Sequence, residues 1–184
     1  MMNFKKTVLI VGALAVAGPS YANIMVIGEG LGEACFNQAK YGNSDRNALS
    51  ICDKAIENGM LNKKDIAATY VNRGIVRSSR GDLEGAVEDY NNALRINPTL
   101  GEAFANRGTV YIRKEQYTMA LDELDRALSL DLEQPAMVYF NRAIVYEHFG
   151  DSTKAYNDYK MASELRPTWD SPQIELTRFT VISD

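Results

Sequence analysis

The sequence predicts an all-α chain built from repeated helix-turn-helix units, and three observations predict it. The tripeptide Asn72-Arg73-Gly74 returns as Asn106-Arg107-Gly108, and again, with one extra residue in between, as Asn141-Arg142-Ala143. Alanines keep step with it: Ala86, Ala120 and Ala155 form one set, and Ala93, Ala127 and Ala162 another. Each copy holds two amphipathic helical patterns separated by a polar break, at Arg80-Gly81-Asp82, Lys114-Glu115-Gln116 and Phe149-Gly150-Asp151. A fixed period of about 34 residues marks a repeat architecture, in which each unit buries its apolar face on its neighbours.

The chain starts with a segment that does not fit the repeat. Residues 1–22 read as an export signal. Lys5 and Lys6 precede an apolar run from Thr7 to Gly18, too short to span a bilayer, and Ser20 and Ala22 are the small residues that a signal peptidase reads. Cleavage is expected after Ala22, with a periplasmic or secreted destination; the alternative is an uncleaved anchor. Removal takes away two lysines and no acid, so a chain of formal charge −4 becomes more acidic still. No later segment is apolar enough to cross a membrane.

Inside the repeats, an aromatic residue precedes each copy of the tripeptide: Tyr70, Phe104, then Tyr139 with Phe140. Tyr90, Leu124 and Tyr159 form a further set, and Pro98 and Pro167 close the first and third copies. With the glycine or alanine that follows the aromatic by one helical turn, this pattern resembles the tetratricopeptide repeat (TPR) family over residues 67–169. Three units follow, 67–100, 101–134 and 136–169. The resemblance implies a right-handed α-solenoid. The departures are local: Arg73, Arg107 and Arg142 stand where the family usually has leucine, and Leu132 where proline is usual. Gly74 and Gly108 sit inside helical patterns at a cost of about 1 kcal/mol each against alanine, which makes sense where a neighbouring helix approaches closely.

Ala48, Cys52, Ala55 and Ile56 repeat the second-helix pattern, with Asn58-Gly59 as a stop, and Leu31 to Tyr41 supplies a first helix broken by Gly42-Asn43. Residues 31–60 therefore form a degenerate amino-terminal unit. Asn62 is placed to cap the helix that follows. Residues 170–184 form a cap and tail. Ser171-Pro172 signals a helix start, and Gln173 to Val181 is expected to be one short helix using Ile174, Leu176 and Phe179 and covering Trp169. The sum is about nine helices and no sheet.

Cys35 and Cys52 fall on the two helices of the degenerate unit, roughly 9 Å and 12 Å from the turn. In an exported chain an even cysteine count favours a disulfide, contributing about 3 kcal/mol for a loop of this size. The alternative is two buried thiols.

The resemblance places Asn72, Asn106 and Asn141 on the first helices, which line the concave groove in this family. Two readings stand side by side. A row of amides offers donors and acceptors to the backbone of an extended peptide, or the asparagines bond within the fold and define the repeat. Other groove positions by the same alignment are Val71, Ile75 and Ser79; Ala105, Thr109, Ile112 and Arg113; and Phe140, Ile144, Glu147 and His148. Arg113 is the one arginine or lysine among them, so the terminal-carboxylate clamp known in the family is not expected. Arg73, Arg107 and Arg142 each precede an acid by one and the same interval, Asp89, Glu123 and Asp158, and that fixed offset suggests ion pairs between helices.

Several function classes are set aside. A mildly acidic chain has no basic face for nucleic acid. One histidine and two cysteines cannot build the common structural zinc sites. His148 has no nucleophile at a meaningful spacing, and Gly28, Gly30 and Gly32 do not follow a strand as a phosphate loop would. Neither a metal, a cofactor nor catalysis is expected. The sequence reads as a non-catalytic adaptor or scaffold for a peptide or protein partner. The alternative is a structural subunit that assembles through convex or terminal faces.

Overall fold

The computed structural model describes residues 7–10, 31–41, 47–57, 61–130 and 132–182. The predicted breaks at Gly42-Asn43 and Asn58-Gly59, and all of the export segment except Thr7–Ile10, lie outside them. The described residues form nine helices and one pair of short strands, and the chain divides into two compact units.

One unit holds α1 (Leu31–Lys40), α2 (Ala48–Glu57), α3 (Lys63–Ser79), α4 (Leu83–Ile96), α5 (Gly101–Arg113) and α6 (Tyr117–Leu128). The helices pack in consecutive pairs, and α1 and α2 also lie against α3. Asn62 caps α3, its side chain accepting the Asp65 N–H at 3.0 Å. A core of Val71, Ile75, Ala86, Tyr90, Ala93, Ala103 and Val110 joins α3, α4 and α5. The interior glycines mark close approach. A Cβ on Gly74 would lie 2.6 Å from the Tyr90 ring, and one on Gly108 would lie 3.0 Å from the Leu124 side chain.

The other unit holds α7 (Pro135–His148), α8 (Ser152–Leu165) and α9 (Asp170–Leu176), with strands β1 (Thr7–Ile10) and β2 (Phe179–Ile182). Pro135 opens α7, where its missing N–H costs nothing. Phe140, Ala143, Ala155, Tyr159 and Ala162 form its core. Trp169, partly buried, packs against that core and tilts against Phe140, ring centroids 4.8 Å apart.

The carboxyl end corrects the expectation of one helix from Gln173 to Val181 and of no sheet. The helix runs from Asp170 to Leu176, and Phe179 to Ile182 pair antiparallel with Thr7 to Ile10. The Thr177 hydroxyl donates to the Ile174 carbonyl in the last turn. The Phe-Thr-Val-Ile run that follows is aromatic and β-branched, a composition that suits a pleated strand better than a helix.

The three breaks share one backbone device. In each, two N–H groups turn back onto the preceding helix: Gly81 to Ser78 and Asp82 to Arg77, Glu115 to Ile112 and Gln116 to Tyr111, Gly150 to Glu147 and Asp151 to Tyr146. This Schellman closure needs a left-handed residue. Gly81 and Gly150 supply it freely, with φ of 85° and 75°, whereas Glu115 is forced to 58°. Asp82 and Asp151 then cap the next helix, but Gln116 makes no side-chain cap bond. Glu115→Gly combined with Gln116→Asp should therefore stabilise the chain by about 1–2 kcal/mol, read as a raised melting temperature by circular dichroism.

Candidate functional site

The first helices α3, α5 and α7 carry the predicted groove residues, and the structure places most of them in the interior. Asn72, Asn106 and Asn141 are buried, and each interacts within the fold. Of the two readings left open for them, burial favours bonding within the fold over an open amide ladder. The residue two positions before the close-approach glycine or alanine stays inside the folded chain. Val71 and Ile75 belong to the α3–α5 core, and Phe140 to that of α7 and α8, with Ile144 packed at its edge. Ala105 and Ile112 are also buried. Thr109 is buried with its hydroxyl on the Ala105 carbonyl. Arg113 is half-buried and committed to α3, donating to the Ser78 carbonyl and, at 2.6 Å, to its hydroxyl. Ser79 and His148, at the ends of α3 and α7, keep part of their surface in solvent.

The arginines form the ion pairs that their fixed offset suggests. Arg73 grips Asp89 with Nε and Nη2, the shortest contact 2.6 Å, while Nη1 reaches Asp53 at 2.6 Å. Arg107 holds Glu123 at 2.8 Å, and Arg142 holds Asp158 at 2.7 Å. Each guanidinium also lies over the aromatic residue one turn earlier: Tyr70 at 5.3 Å, Phe104 at 5.4 Å and Tyr139 at 5.4 Å. Burial opposes the Arg73 charge, but its bonds to Asp89 and Asp53 outweigh it and hold the guanidinium above its ordinary range. At Glu123 burial prevails and pushes the carboxyl up against the pull of Arg107. These arginines are structural clamps, which agrees with paired rather than free basic groups.

Sequence reasoning missed a cluster at the carboxyl end. Glu147, expected on the groove, is half-buried and accepts from the Tyr159 hydroxyl at 3.0 Å and from Arg178. Arg178 also bonds Glu175 at 2.6 Å. The only visible signal was an arginine just before an apolar tail, which is too common to single out. In the other unit Cys35 and Cys52 are buried on α1 and α2, with Cα atoms 4.7 Å apart and sulfurs within bonding distance. Among the described residues no group of three or more His, Cys, Asp or Glu side chains is arranged to hold a metal ion. No described helix is long and apolar enough to cross a membrane.

Family comparison agrees with this architecture. A description of the TPR repeat matches residues 74–115, and one of the tetratricopeptide repeat matches residues 101–134. The chain is a tetratricopeptide repeat protein. Human tetratricopeptide repeat protein 6 is 32% identical over 87 residues, 47% of this chain. The match spans only 16% of that relative's length. Among solved structures, YrrB, described as a TPR protein with an unusual peptide-binding site, is 28% identical with a TM-score of 0.59, covering 68% of this chain and 62% of YrrB. The first TPR of Spaghetti (RPAP3), bound to an HSP90 peptide, has a TM-score of 0.58 at 20% identity, covering 62% of this chain and 90% of that one. At that identity the likeness shows the TPR fold.

The clamp has a measurable consequence. Asp89 has no exposed side-chain surface and is held by Arg73 and, at 3.2 Å, by Arg77, so replacing both arginines by alanine leaves a buried carboxylate without a partner and should cost about 3–5 kcal/mol in urea denaturation. Arg107→Ala should cost less, because 17% of the Glu123 side chain still reaches water.

Proposed function

We propose that this TPR protein is an exported, non-catalytic adaptor that holds a peptide or protein segment on the first-helix faces of its repeats. The observation that carries the reading is the fold itself: paired helices set at fixed register, of the kind that holds a peptide in RPAP3 and contains a peptide-binding site in YrrB. The clamped arginines support it, since their charge goes into rigidity rather than into a reaction. Pre-set helices reduce the ordering cost of binding. A fold alone does not fix a function, so the surface must be tested directly. A photo-reactive amino acid at Ser79 or His148 should crosslink one discrete partner in cells, and the same probe at Glu88 on α4 or Lys160 on α8 should not. Crosslinks confined to α4 and α8 would move binding off the first helices.

Export is the second part of the reading. The lysines, the apolar run and the small residues before Ala22 support removal of residues 1–22 and delivery to the periplasm or beyond. There Cys35 and Cys52 are oxidised to a disulfide that staples α1 to α2, in the unit least supported by repeat packing. Labelling of the unreduced, denatured exported chain should find no reactive thiol. Two labels per chain would refute the staple.

A further inference from the structure

The C-terminal strand β2 carries an inference that rests on the export reading. In the full chain β1 lies antiparallel on β2, with Thr7 opposite Ile182, Val8 opposite Val181 and Leu9 opposite Thr180. The two strands carry nearly the same three residues there, Thr7-Val8-Leu9 and Thr180-Val181-Ile182. The central pair is valine on valine, and each threonine stands opposite the branched aliphatic residue of the other strand. Hydrogen-bonded and non-hydrogen-bonded pairs alternate along an antiparallel ladder, so two identical strands pair symmetrically only when one residue stands opposite its own copy. The observed register meets that condition, with the two-fold axis at the Val8–Val181 pair.

β2 is held in place by residues that cleavage leaves untouched. Phe179 packs against Tyr156 and Tyr159, with centroids 5.8 and 5.9 Å apart, and Arg178 bonds Glu147 and Glu175. Removing residues 1–22 takes β1 away and strips its backbone partners from β2. A strand edge of aromatic and branched residues is a template for another strand. We propose that in the exported chain β2 pairs with β2 of a second copy in the register now held by β1, Val181 opposite the second copy's Val181. Such a contact is isologous and closes at two chains. The ladder is short, so the dimer is weak and depends on concentration.

Covalent trapping reads such a contact directly. Val181→Cys is placed in two preparations. One is the product recovered after export, with its first residue read by mass spectrometry. The other is the full chain carrying Val8→Pro as well, which breaks β1 pairing without cleavage. The unsubstituted chain controls for Cys35 and Cys52, and circular dichroism checks that the helices persist. Under mild oxidation both preparations should double in mass on a non-reducing gel. The full chain with Val8 intact should trap little, and so should Thr180→Cys, which stands opposite the second copy's Ile182. Monomer in both preparations, or equal trapping at positions 180 and 181, overturns the pairing. A doubled mass from the Val8→Pro chain beside an exported product still beginning at Met1 refutes the removal of residues 1–22 and supports the pairing.

Discussion

The contact on which each helix pair depends is the close approach between its two helices at a small residue. Gly74 lies beneath the Tyr90 ring and Gly108 beneath the Leu124 side chain, and the interval along the chain is the same in both. Ala143 and Tyr159 share a core at that spacing too. The next residue back in each case is the clamping arginine, whose acid follows at the same interval again: Arg73 with Asp89, Arg107 with Glu123, Arg142 with Asp158. Two neighbouring positions thus do different jobs. The small residue sets how near the helices come, and the arginine sets how they slide and rotate. A point contact alone would leave the register free, and an ion pair alone would tolerate a gap, which close-packed interiors do not.

The electrostatics follow from that geometry. Helices so close leave the acids buried, and a buried carboxylate is costly unless paired. Arginine suits the role because its planar fork meets a carboxylate at two points while its face lies over an aromatic ring. Tyr70, Phe104 and Tyr139 supply those rings, so the aromatic that opens each repeat also steadies the clamp. Tyr90 shows the cost of the arrangement. Its hydroxyl is sealed in the core without a hydrogen-bond partner, and burial pushes its ionisation up. The glycine beneath it gives the ring its space.

Much of this was legible because repetition turns weak signals into strong ones. One Arg-Gly pair means little, whereas three arginines at a fixed offset from an acid predict a clamp. The Asp82 and Asp151 caps were readable for the same reason. Glu115 was legible only as a break, since a left-handed non-glycine leaves no mark in the sequence. The carboxyl end was misread because it does not repeat: Ile174, Leu176 and Phe179 suggest one apolar helical face, although the β-branched Thr180-Val181-Ile182 run favours a strand. The asparagines were half legible. Their register marked them as fold-defining, but the choice between open groove and interior depended on depth, which spacing does not report.

The most direct test of the close-approach account is the stability of Gly74→Ala against Gly74→Ala with Tyr90→Leu, measured by urea denaturation. The single variant should lose about 1–3 kcal/mol from overpacking against the ring. The double variant should recover part of that loss, because leucine lacks the Tyr90 ring atoms that the added Cβ would meet, the nearest at 2.6 Å. A Gly74→Ala chain as stable as the parent would contradict the account.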